Sequence, residues 1–444
     1  MRVCAALAVI LLAACPDSAT GDSDASPDST VPDADAGDSV TADTPDTPSD
    51  ATDSTVAETV DTHVAPAGRL TFEAVTLDPT PAGITELRFV PRTEDQLVLL
   101  DKAGTVHHYA LQGDTATRQG TFVVPDVDDI DDCGLISLAF DPDWGKGNHY
   151  VFAGHCIDRY TSRITRMVFD GTNYADVAGT AVTIIEVGDP DAKDPWHNVG
   201  TVDFDPDGTM WALFGDKTVS KNGQDASNNL GALVRIVPSR EEGVGGYSQA
   251  AGNPLAAQDG VSPDVYAYGL RSPWRGYRDA LGRYWIGDVG PAVTEEVNLA
   301  VYGGENFGWA DHEGPCESGC GEYTQPLLWW DREDDHPYAL EDEDTVPTAR
   351  RVVYVGLQYE SAGQDRYDGQ LDGWMIYGDF CAGWVRAVAT TPSGDVLADQ
   401  AIGHLEGPVG WARGSDGYIY VATYGNCFPF PYKPGALWRA RLAE

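Results

Sequence analysis

Positive charge is scarce in this sequence. Its 444 residues include 28 lysines and arginines against 70 aspartates and glutamates, which gives a formal net charge of −42. Proteins bind nucleic acids largely by neutralising phosphates with lysine and arginine, so we expect no nucleic-acid partner. The same balance is compatible with bound calcium or with a cationic ligand.

Long apolar runs are also lacking. The run from Ala5 to Ala14 is much shorter than the roughly 20 residues that a membrane-spanning helix needs, so we interpret residues 1–14 as a cleaved export signal. Its end, "LAAC", resembles a lipoprotein cleavage site, which predicts that Cys15 carries lipid and begins the mature chain. A plain secretory signal is the alternative. We expect an exported protein, periplasm-facing or at the outer membrane of a bacterial cell envelope, that contacts membrane through its lipid anchor only.

Residues 15–66 contain no lysine or arginine and consist mainly of Asp, Ser, Thr, Pro and Ala. Such a segment cannot bury enough apolar surface to offset the entropy lost on ordering, so the composition predicts a disordered tether. No comparable linker interrupts the rest of the chain, and residues 67–444 are therefore predicted to form one folded domain.

Two of the eight cysteines lie in the export segment, which leaves six. An even number in an exported chain indicates disulfides, and a metal site is disfavoured because no Cys-x-x-Cys pair with nearby histidines occurs. Sequence leaves the connectivity open. The pairs that we predict are Cys133 with Cys156, Cys316 with Cys320, and Cys381 with Cys427.

Helical periodicity is rare, and a different pattern recurs instead. A polar turn, often centred on Asp-Gly, is followed by an alternating aromatic and aliphatic strand and then by glycine. The pattern occurs at residues 89–104, 139–154, 203–216, 277–290, 370–383 and 412–425. Six such repeats favour an all-β, six-bladed β-propeller over a two-sheet sandwich.

Several stretches are similar to a known family. They are "GLISLAFDPDWGKGNHYVFAG", "HNVGTVDFDPDGTMWALFGD", "NNLGALVRIVP", "YAYGLRSPWRGY" with its continuation to "ENFGW", "GWMIYGDFCAGWVRAV" and "GSDGYIYVATYG". They resemble the glucose/sorbosone dehydrogenase superfamily, which includes soluble quinoprotein aldose dehydrogenases and hedgehog-interacting-protein-like propellers. The resemblance covers about residues 70–442 and implies a six-bladed β-propeller.

The resemblance also implies an activity. Enzymes of the family bind pyrroloquinoline quinone (PQQ) over the central channel and oxidise the anomeric hydroxyl of a sugar to a lactone. His197 matches their catalytic base, and Asp216 matches the carboxylate that orients it. Imidazole suits this role because it accepts a proton near neutral pH. A small-molecule sugar is thus the expected substrate, with the electron acceptor unidentified. A non-catalytic propeller that binds carbohydrate or a protein ligand is the alternative.

The resemblance carries over to the cofactor pocket only in part. Arg271, Ser272 and Asp132 stand at positions that match the family's pocket. The positions of a lysine and two arginines are occupied here by Cys381 and by residues near Gly407 and Val409. Since a quinone with three carboxylates needs compensating cations, one or more of Lys217, Lys221 and Arg275 would have to substitute.

A calcium site is implied by the segment "GPAVTEEVNLAVYGGENFGW". Matching by position gives the carbonyl oxygens of Gly290, Pro291 and Phe307 and the side chain of Glu296. Calcium prefers such hard oxygen ligands. Asp288 and Glu295 could add negative charge, and an ordinary acidic loop is the alternative.

Overall fold

The computed structural model of the chain describes residues 67–316, 318–332, 351–425, 427 and 434–443. The predicted signal at 1–14, the predicted lipid site at Cys15 and the predicted tether at 15–66 lie outside these residues. Within them, the structure is almost entirely β, with two short 3₁₀ turns at Val177–Thr180 and Ser220–Gln224. The same residues include no helix with the length and apolar character needed to cross a membrane.

The strands follow each other blade by blade along the chain. After β1 (Leu70–Asp78), the first blade has β2 (Ile84–Phe89), β3 (Gln96–Asp101), β4 (Thr105–Gln112) and β5 (Thr115–Val123); the second has β6 (Leu135–Phe140), β7 (Tyr150–Asp158), β8 (Thr161–Val168) and β9 (Val182–Gly188). The third has β10 (Val199–Phe204), β11 (Met210–Phe214) and β12 (Ala232–Pro238), with β13 (Tyr247–Gln249) and β14 (Val265–Tyr268) both paired to β12.

The second half continues in the same way. The fourth blade has β15 (Pro273–Arg278), β16 (Tyr284–Asp288), β17 (Thr294–Ala300) and β18 (Leu328–Asp331); the fifth has β19 (Val353–Gln358), β20 (Met375–Asp379), β21 (Trp384–Thr390) and β22 (Val396–His404). The sixth has β23 (Pro408–Arg413), β24 (Ile419–Thr423) and β25 (Ala436–Leu442).

The blades close into a ring. Each blade's first strand contacts the first strands of both neighbouring blades, and the last contact joins β23 to β2. The sixth blade is completed by β1, which pairs antiparallel with β25, so that both ends of the described chain lie in one sheet. This closure leaves few exposed edges, and the predicted six-bladed propeller is confirmed.

The recurring turn pattern has a single structural place. In each blade it spans the connection from the first strand to the second, for example between β10 and β11. The aspartate of the turn also holds blades together. Asp205 accepts hydrogen bonds from Arg235 of its own blade and from Tyr284 Oη of the next, and it forms an ion pair with Arg278. Asp205 therefore supplies a buried acceptor at the boundary between the third and fourth blades.

All three predicted disulfides are present, at Cys133–Cys156, Cys316–Cys320 and Cys381–Cys427. In the first, Cys133 lies just before β6 and Cys156 lies near the end of β7. These two strands are antiparallel neighbours, so the bridge fixes the loop that precedes β6.

Candidate functional site

His197 lies in a sharp turn just before β10 and faces the end of β11. Its backbone has a φ of 55°, a left-handed conformation that is uncommon for a residue with a side chain. Gly215 makes this turn possible, because a Cβ atom there would collide with the His197 carbonyl. The Gly-Asp that ends the strand therefore allows His197 and Asp216 to approach.

The two side chains form a direct hydrogen bond. His197 Nδ1 lies 2.6 Å from Asp216 Oδ1, and both residues are buried. Trp309 Nε1 donates to Asp216 Oδ2 at 2.8 Å, and the Thr218 backbone N–H donates to Oδ1 at 2.7 Å. Asp216 is thereby fixed by three donors, and the imidazole is fixed by Asp216.

The electrostatics favour a neutral imidazole beside an ionised carboxylate. Burial lowers the pKa of His197, and the nearby Arg271 lowers it further. Burial alone would raise the pKa of Asp216, but the interaction with His197, the charge of Arg271 and the Trp309 hydrogen bond lower it. Because an ionised carboxylate only accepts, Nδ1 carries the imidazole proton. Nε2 is left as a free base, and it has no hydrogen-bond partner in the part of the chain that the structure describes.

An open cavity lies beside this pair. Its polar lining brings together residues from separate blades: Asp132, His197, Asn198 and Ser272. The rest of the lining is apolar and includes the flat rings of Trp274 and Phe380. Three of the residues predicted from the sequence therefore share one cavity, which mixes an apolar wall with a few polar groups as ligand sites do.

Arg271 and Ser272 precede β15. Asp288, at the end of β16, accepts the backbone N–H groups of Arg271 at 2.9 Å and of Ser272 at 2.7 Å. Arg271 Nη1 donates to the Val289 carbonyl at 2.8 Å, and its guanidinium lies 5.7 Å from the Trp309 ring centroid. Arg271 is thus behind the wall of the cavity, and Ser272 is in it.

Asp132 enters the cavity from the loop before β6. Both of its carboxylate oxygens are inaccessible to solvent, and neither has a hydrogen-bond partner among the described residues. Burial raises the pKa of Asp132 to about 7, and Asp131 adds to the rise, while Lys102 and Arg271 oppose it. Asp132 is therefore a buried carboxyl whose hydrogen-bonding capacity is unused within the protein.

Of the substitute cations considered from the sequence, Lys217 is the one next to the cavity. It is 1 % exposed and donates to Asn198 Oδ1, and burial lowers its pKa to about 7. Arg275 instead donates to main-chain carbonyls of other blades, at Val409 and Thr85. Lys221 is exposed on a 3₁₀ turn.

The predicted calcium ligands lie between β16 and the segment after β17. The Gly290 carbonyl accepts from Arg332 at 2.7 Å, and Glu296 accepts the Gly314 N–H at 2.6 Å. Pro291 follows in the loop, and Phe307 is buried. Burial raises the pKa of Glu296.

The two flanking carboxylates are engaged elsewhere. Asp288 binds the Arg271 and Ser272 amides, and Glu295 pairs with Arg332 and accepts the Val353 N–H. In the described residues, no group of three or more His, Cys, Asp or Glu side chains is arranged to hold a metal. The calcium site stays a prediction.

Sequence reasoning missed Trp309 and Asn198. Trp309 joins the site from a loop far along the chain, where it contacts both Asp216 and Arg271. Asn198 connects Lys217 to the cavity wall. Asn198 stands beside His197, which is the one signal that pointed to it; an isolated tryptophan carries none.

Comparison with known proteins places this geometry in context. The sequence profile of the family described as Glucose / Sorbosone dehydrogenase matches residues 82–333. Among curated proteins, the HIPL1 protein of Arabidopsis thaliana is 34% identical over 134 residues, which is 27% of this chain and 19% of that protein. The HIPL2 protein of the same plant is 33% identical over 131 residues, again 19% of its length. The match thus spans about a fifth of those relatives.

Solved structures give the same fold over most of the chain. The PQQ-bound aldose sugar dehydrogenase from Streptomyces coelicolor superposes with a TM-score of 0.64 at 20% identity, covering 85% of this chain and 99% of that one. The apo-form soluble aldose sugar dehydrogenase from Escherichia coli gives a TM-score of 0.64 at 18% identity, with coverages of 84% and 100%.

Proposed function

This chain belongs to the glucose/sorbosone dehydrogenase family, and we propose that it is a PQQ-dependent dehydrogenase that oxidises the anomeric hydroxyl of a sugar to a lactone. The observation that carries the proposal is the His197–Asp216 pair, which borders an open cavity. Family membership and the fold support a protein of the sugar-dehydrogenase type. The use of PQQ and the lactone product are part of the proposal.

His197 is the proposed base. Its Nε2 is unprotonated and unpartnered, so it can accept the proton of a sugar hydroxyl that enters the cavity. Asp216 then stabilises the imidazolium that forms and keeps the ring in its orientation. PQQ, when bound, would supply the two-electron acceptor for the hydride of the anomeric carbon.

Some of the residues around the cavity suit a flat, anionic cofactor. Trp274 and Phe380 offer planar apolar surface, while Asn198 and Ser272 offer hydrogen bonds. Lys217 is buried and Arg271 is half-buried next to these two polar residues, and neither has a salt bridge to a carboxylate of the described residues. Two cations that are largely shielded from water and lack a salt bridge favour an anionic ligand that would compensate their desolvation. Lys217 would take the place of a family cation that is absent here.

A non-catalytic carbohydrate-binding or protein-binding propeller is the second candidate. The cavity lining contains no lysine or arginine among the described residues, and it contains the carboxyl of Asp132. An anionic cofactor would meet fewer direct cations here than its three carboxylates require. That observation favours ligand binding without a quinone.

Reconstitution separates the two candidates. The purified chain is titrated with PQQ in the presence of calcium, and dye reduction is then measured with a panel of aldoses. Saturable binding at micromolar quinone together with sugar-dependent dye reduction supports the dehydrogenase. An absence of quinone binding, with sugar binding retained, leaves the non-catalytic propeller.

Calcium at Glu296 and the carbonyls of Gly290, Pro291 and Phe307 is part of the same proposal. Its support is a buried carboxylate whose pKa is raised by burial and by the neighbouring Glu313, a situation that a bound divalent cation would relieve. Calcium should raise the melting temperature of the wild-type chain, and Glu296→Gln should remove this increase. An equal increase in both proteins would show that calcium binds at another site.

Export and lipid anchoring complete the proposal. The supporting observations are the "LAAC" sequence before residue 16 and three disulfides, which persist in oxidising compartments. In a bacterial host, the wild-type chain should incorporate labelled fatty acid and Cys15→Ala should not. Labelling of both would place the modification at another residue.

A further inference from the structure

The carboxyl of Asp132, in the lining of the cavity, has no hydrogen-bond partner among the described residues. Its Oδ1 and Oδ2 atoms are shielded from solvent and accept no hydrogen bond from the described residues. Leaving a buried carboxylate without donors costs several kcal/mol by comparison with a paired one. A ligand that donates to Asp132 would recover this cost, and the protein supplies no donor of its own.

The backbone around Asp132 is held in place, so a ligand would gain its carboxyl through a rotation of the side chain toward the cavity and not through a shift of the loop. The next residue, Cys133, is bonded to Cys156 of β7. The Cys133 N–H donates to the Ile130 carbonyl at 2.8 Å, and Cys156 N–H donates to the Gly134 carbonyl at 3.2 Å. On the other side of the carboxyl, the Asp128 N–H donates to the Cys156 carbonyl at 3.0 Å, so the loop is attached to the second blade both before and after Asp132.

Nearby cations do not neutralise this carboxyl directly. Lys102, whose charge acts on Asp132, donates its Nζ hydrogen to the Asp129 carbonyl. Arg271, whose charge also acts on Asp132, donates to the Val289 carbonyl. The cavity lining therefore offers Asp132 no lysine or arginine within the described residues.

We propose that the cavity takes a sugar that bears a protonated amine, and that Asp132 is the residue that selects it. The sugar frame rests on the proposed function, whereas the amine rests on the unpartnered carboxyl. An ammonium group brings up to three donors and a compensating charge, while a neutral hydroxyl brings one donor and leaves the charge in place. His197 lies in the same cavity lining, so one ligand would contact both residues once the Asp132 carboxyl turns toward the cavity.

Titration of Asp132 makes the preference depend on pH. Burial raises its pKa to about 7, with Lys102, Arg271 and Asp131 as the other charged groups that act on it. Below that pH the carboxyl is protonated and has no charge to attract an ammonium. The affinity for a sugar amine should therefore increase as the pH rises through about 7, and the affinity for the neutral sugar should not follow it.

The test compares matched sugars and matched variants. The affinities of D-glucose, D-glucosamine and 6-amino-6-deoxy-D-glucose are measured by tryptophan fluorescence, which Trp274 in the wall makes sensitive to occupancy, on the full chain with and without PQQ. At pH 7.5, where the Asp132 carboxyl is mostly ionised and the amines are still largely protonated, at least one amine should bind about tenfold to hundredfold more tightly than D-glucose, as a charge-assisted hydrogen bond to a buried carboxylate implies. Asp132→Asn should abolish this preference. Asp131→Asn makes the same charge change one residue away, outside the lining, and should preserve it.

The experiment distinguishes a failure of this inference from a failure of the proposed function. A preference for the amine that depends on Asp132 but occurs without quinone binding or dye reduction upholds this inference and removes the dehydrogenase. Dye reduction with equal affinities for both sugar classes in wild type and Asp132→Asn upholds the dehydrogenase and overturns the inference. If Asp132→Asn does not fold, the pH dependence of wild-type binding decides, because equal and flat profiles for the two sugars contradict it.

Discussion

The Nδ1 atom of His197 lies 2.6 Å from the Oδ1 atom of Asp216, and 19 positions separate the two residues along the chain. This relationship is a product of one β-hairpin. The strands β10 and β11 pair so that Val199 faces Phe214, and the residues just outside this pair meet at the hairpin's open end. The proposed catalytic pair is thus built from local structure, while the cavity beside it is assembled from distant blades.

Replacement of His197 by alanine should abolish sugar-dependent dye reduction. Loss of a general base costs about 10²-fold to 10⁴-fold in rate, because the proposed acceptor of the hydroxyl proton is then missing. Steady-state turnover of the quinone-loaded chain measures this loss, and circular dichroism checks that the fold is intact. His149→Ala, at an exposed position in the turn before β7, is the control and should keep full turnover. Retained turnover in His197→Ala would remove this residue from the mechanism.

The pH profile should report the environment of His197. Burial and Arg271 lower its pKa, so kcat/KM should rise with pH and reach half its plateau below the usual histidine value of 6.5. Asp216 opposes that lowering. Asp216→Asn should therefore move the rise to still lower pH while reducing the plateau, because the tautomer is no longer fixed. A shift of the rise to higher pH would contradict this assignment of charges.

Lys217 should govern the affinity for the quinone. Burial lowers its pKa to about 7, so its charge is present below that pH and lost above it. The affinity of the wild-type chain for PQQ should therefore decrease as the pH rises through about 7, and an equilibrium titration measures it. Lys217→Met should weaken binding about tenfold or more at pH 6, as expected for a charged hydrogen bond, and flatten the profile. Lys221→Met is the matched control on the exposed side of the turn, and an equal effect there would indicate only a long-range charge effect.

A disulfide that closes a longer loop should contribute more to the free energy of unfolding than one that closes a shorter loop. Cys133 and Cys156 are 23 positions apart, and Cys316 and Cys320 are 4 apart. Loop-closure entropy predicts that removing the first bridge costs about 3 kcal/mol and removing the second about 2 kcal/mol. Denaturant unfolding of the two serine double variants tests the order. A larger loss for the short loop would show that local packing, and not chain entropy, dominates.

The propeller itself could be predicted because its signal is local. Each Asp-Gly turn and the strand after it carry their own pattern, as between Phe204 and Met210, and six repetitions exclude most other folds. The closure of the ring carries no such signal. The pairing of Leu70 with Leu442 joins the two ends of the described chain. The residue pattern within each strand does not indicate which other strand it pairs with.

In the candidate site, too, the residues that are close in sequence could be predicted from their spacing, and those brought together by the packing of distant blades could not. His197 and Asp216 share a hairpin, so their spacing reveals them. Ser272 and Trp309 come from later loops, and their approach depends on how the blades pack around the channel. The resemblance identified Ser272 by position, whereas Trp309 became visible only through its hydrogen bond to Asp216. The unused acceptors of Asp132 are likewise a property of its surroundings and not of its sequence.

Those surroundings give Asp132 a measurable effect on stability. Burial raises its pKa from 3.8 to about 7, so between these values the folded chain holds a proton that the unfolded chain has lost. The free energy of unfolding should therefore fall as the pH rises across this range, by up to about 4 kcal/mol from this group. Asp132→Asn has no proton to lose, and its advantage over wild type should grow from pH 4 and level off above pH 7.

Denaturant unfolding at a series of pH values measures this difference, with Asp131→Asn as the control in the same loop. The other buried carboxyls, such as Asp379, whose pKa burial raises to about 6, titrate equally in every variant and cancel. Parallel curves for wild type and Asp132→Asn would mean that a donor already satisfies the carboxyl. A sugar amine should then bind the two alike, so the stability and binding experiments test one physical premise: that Asp132 is buried without a partner until a ligand arrives.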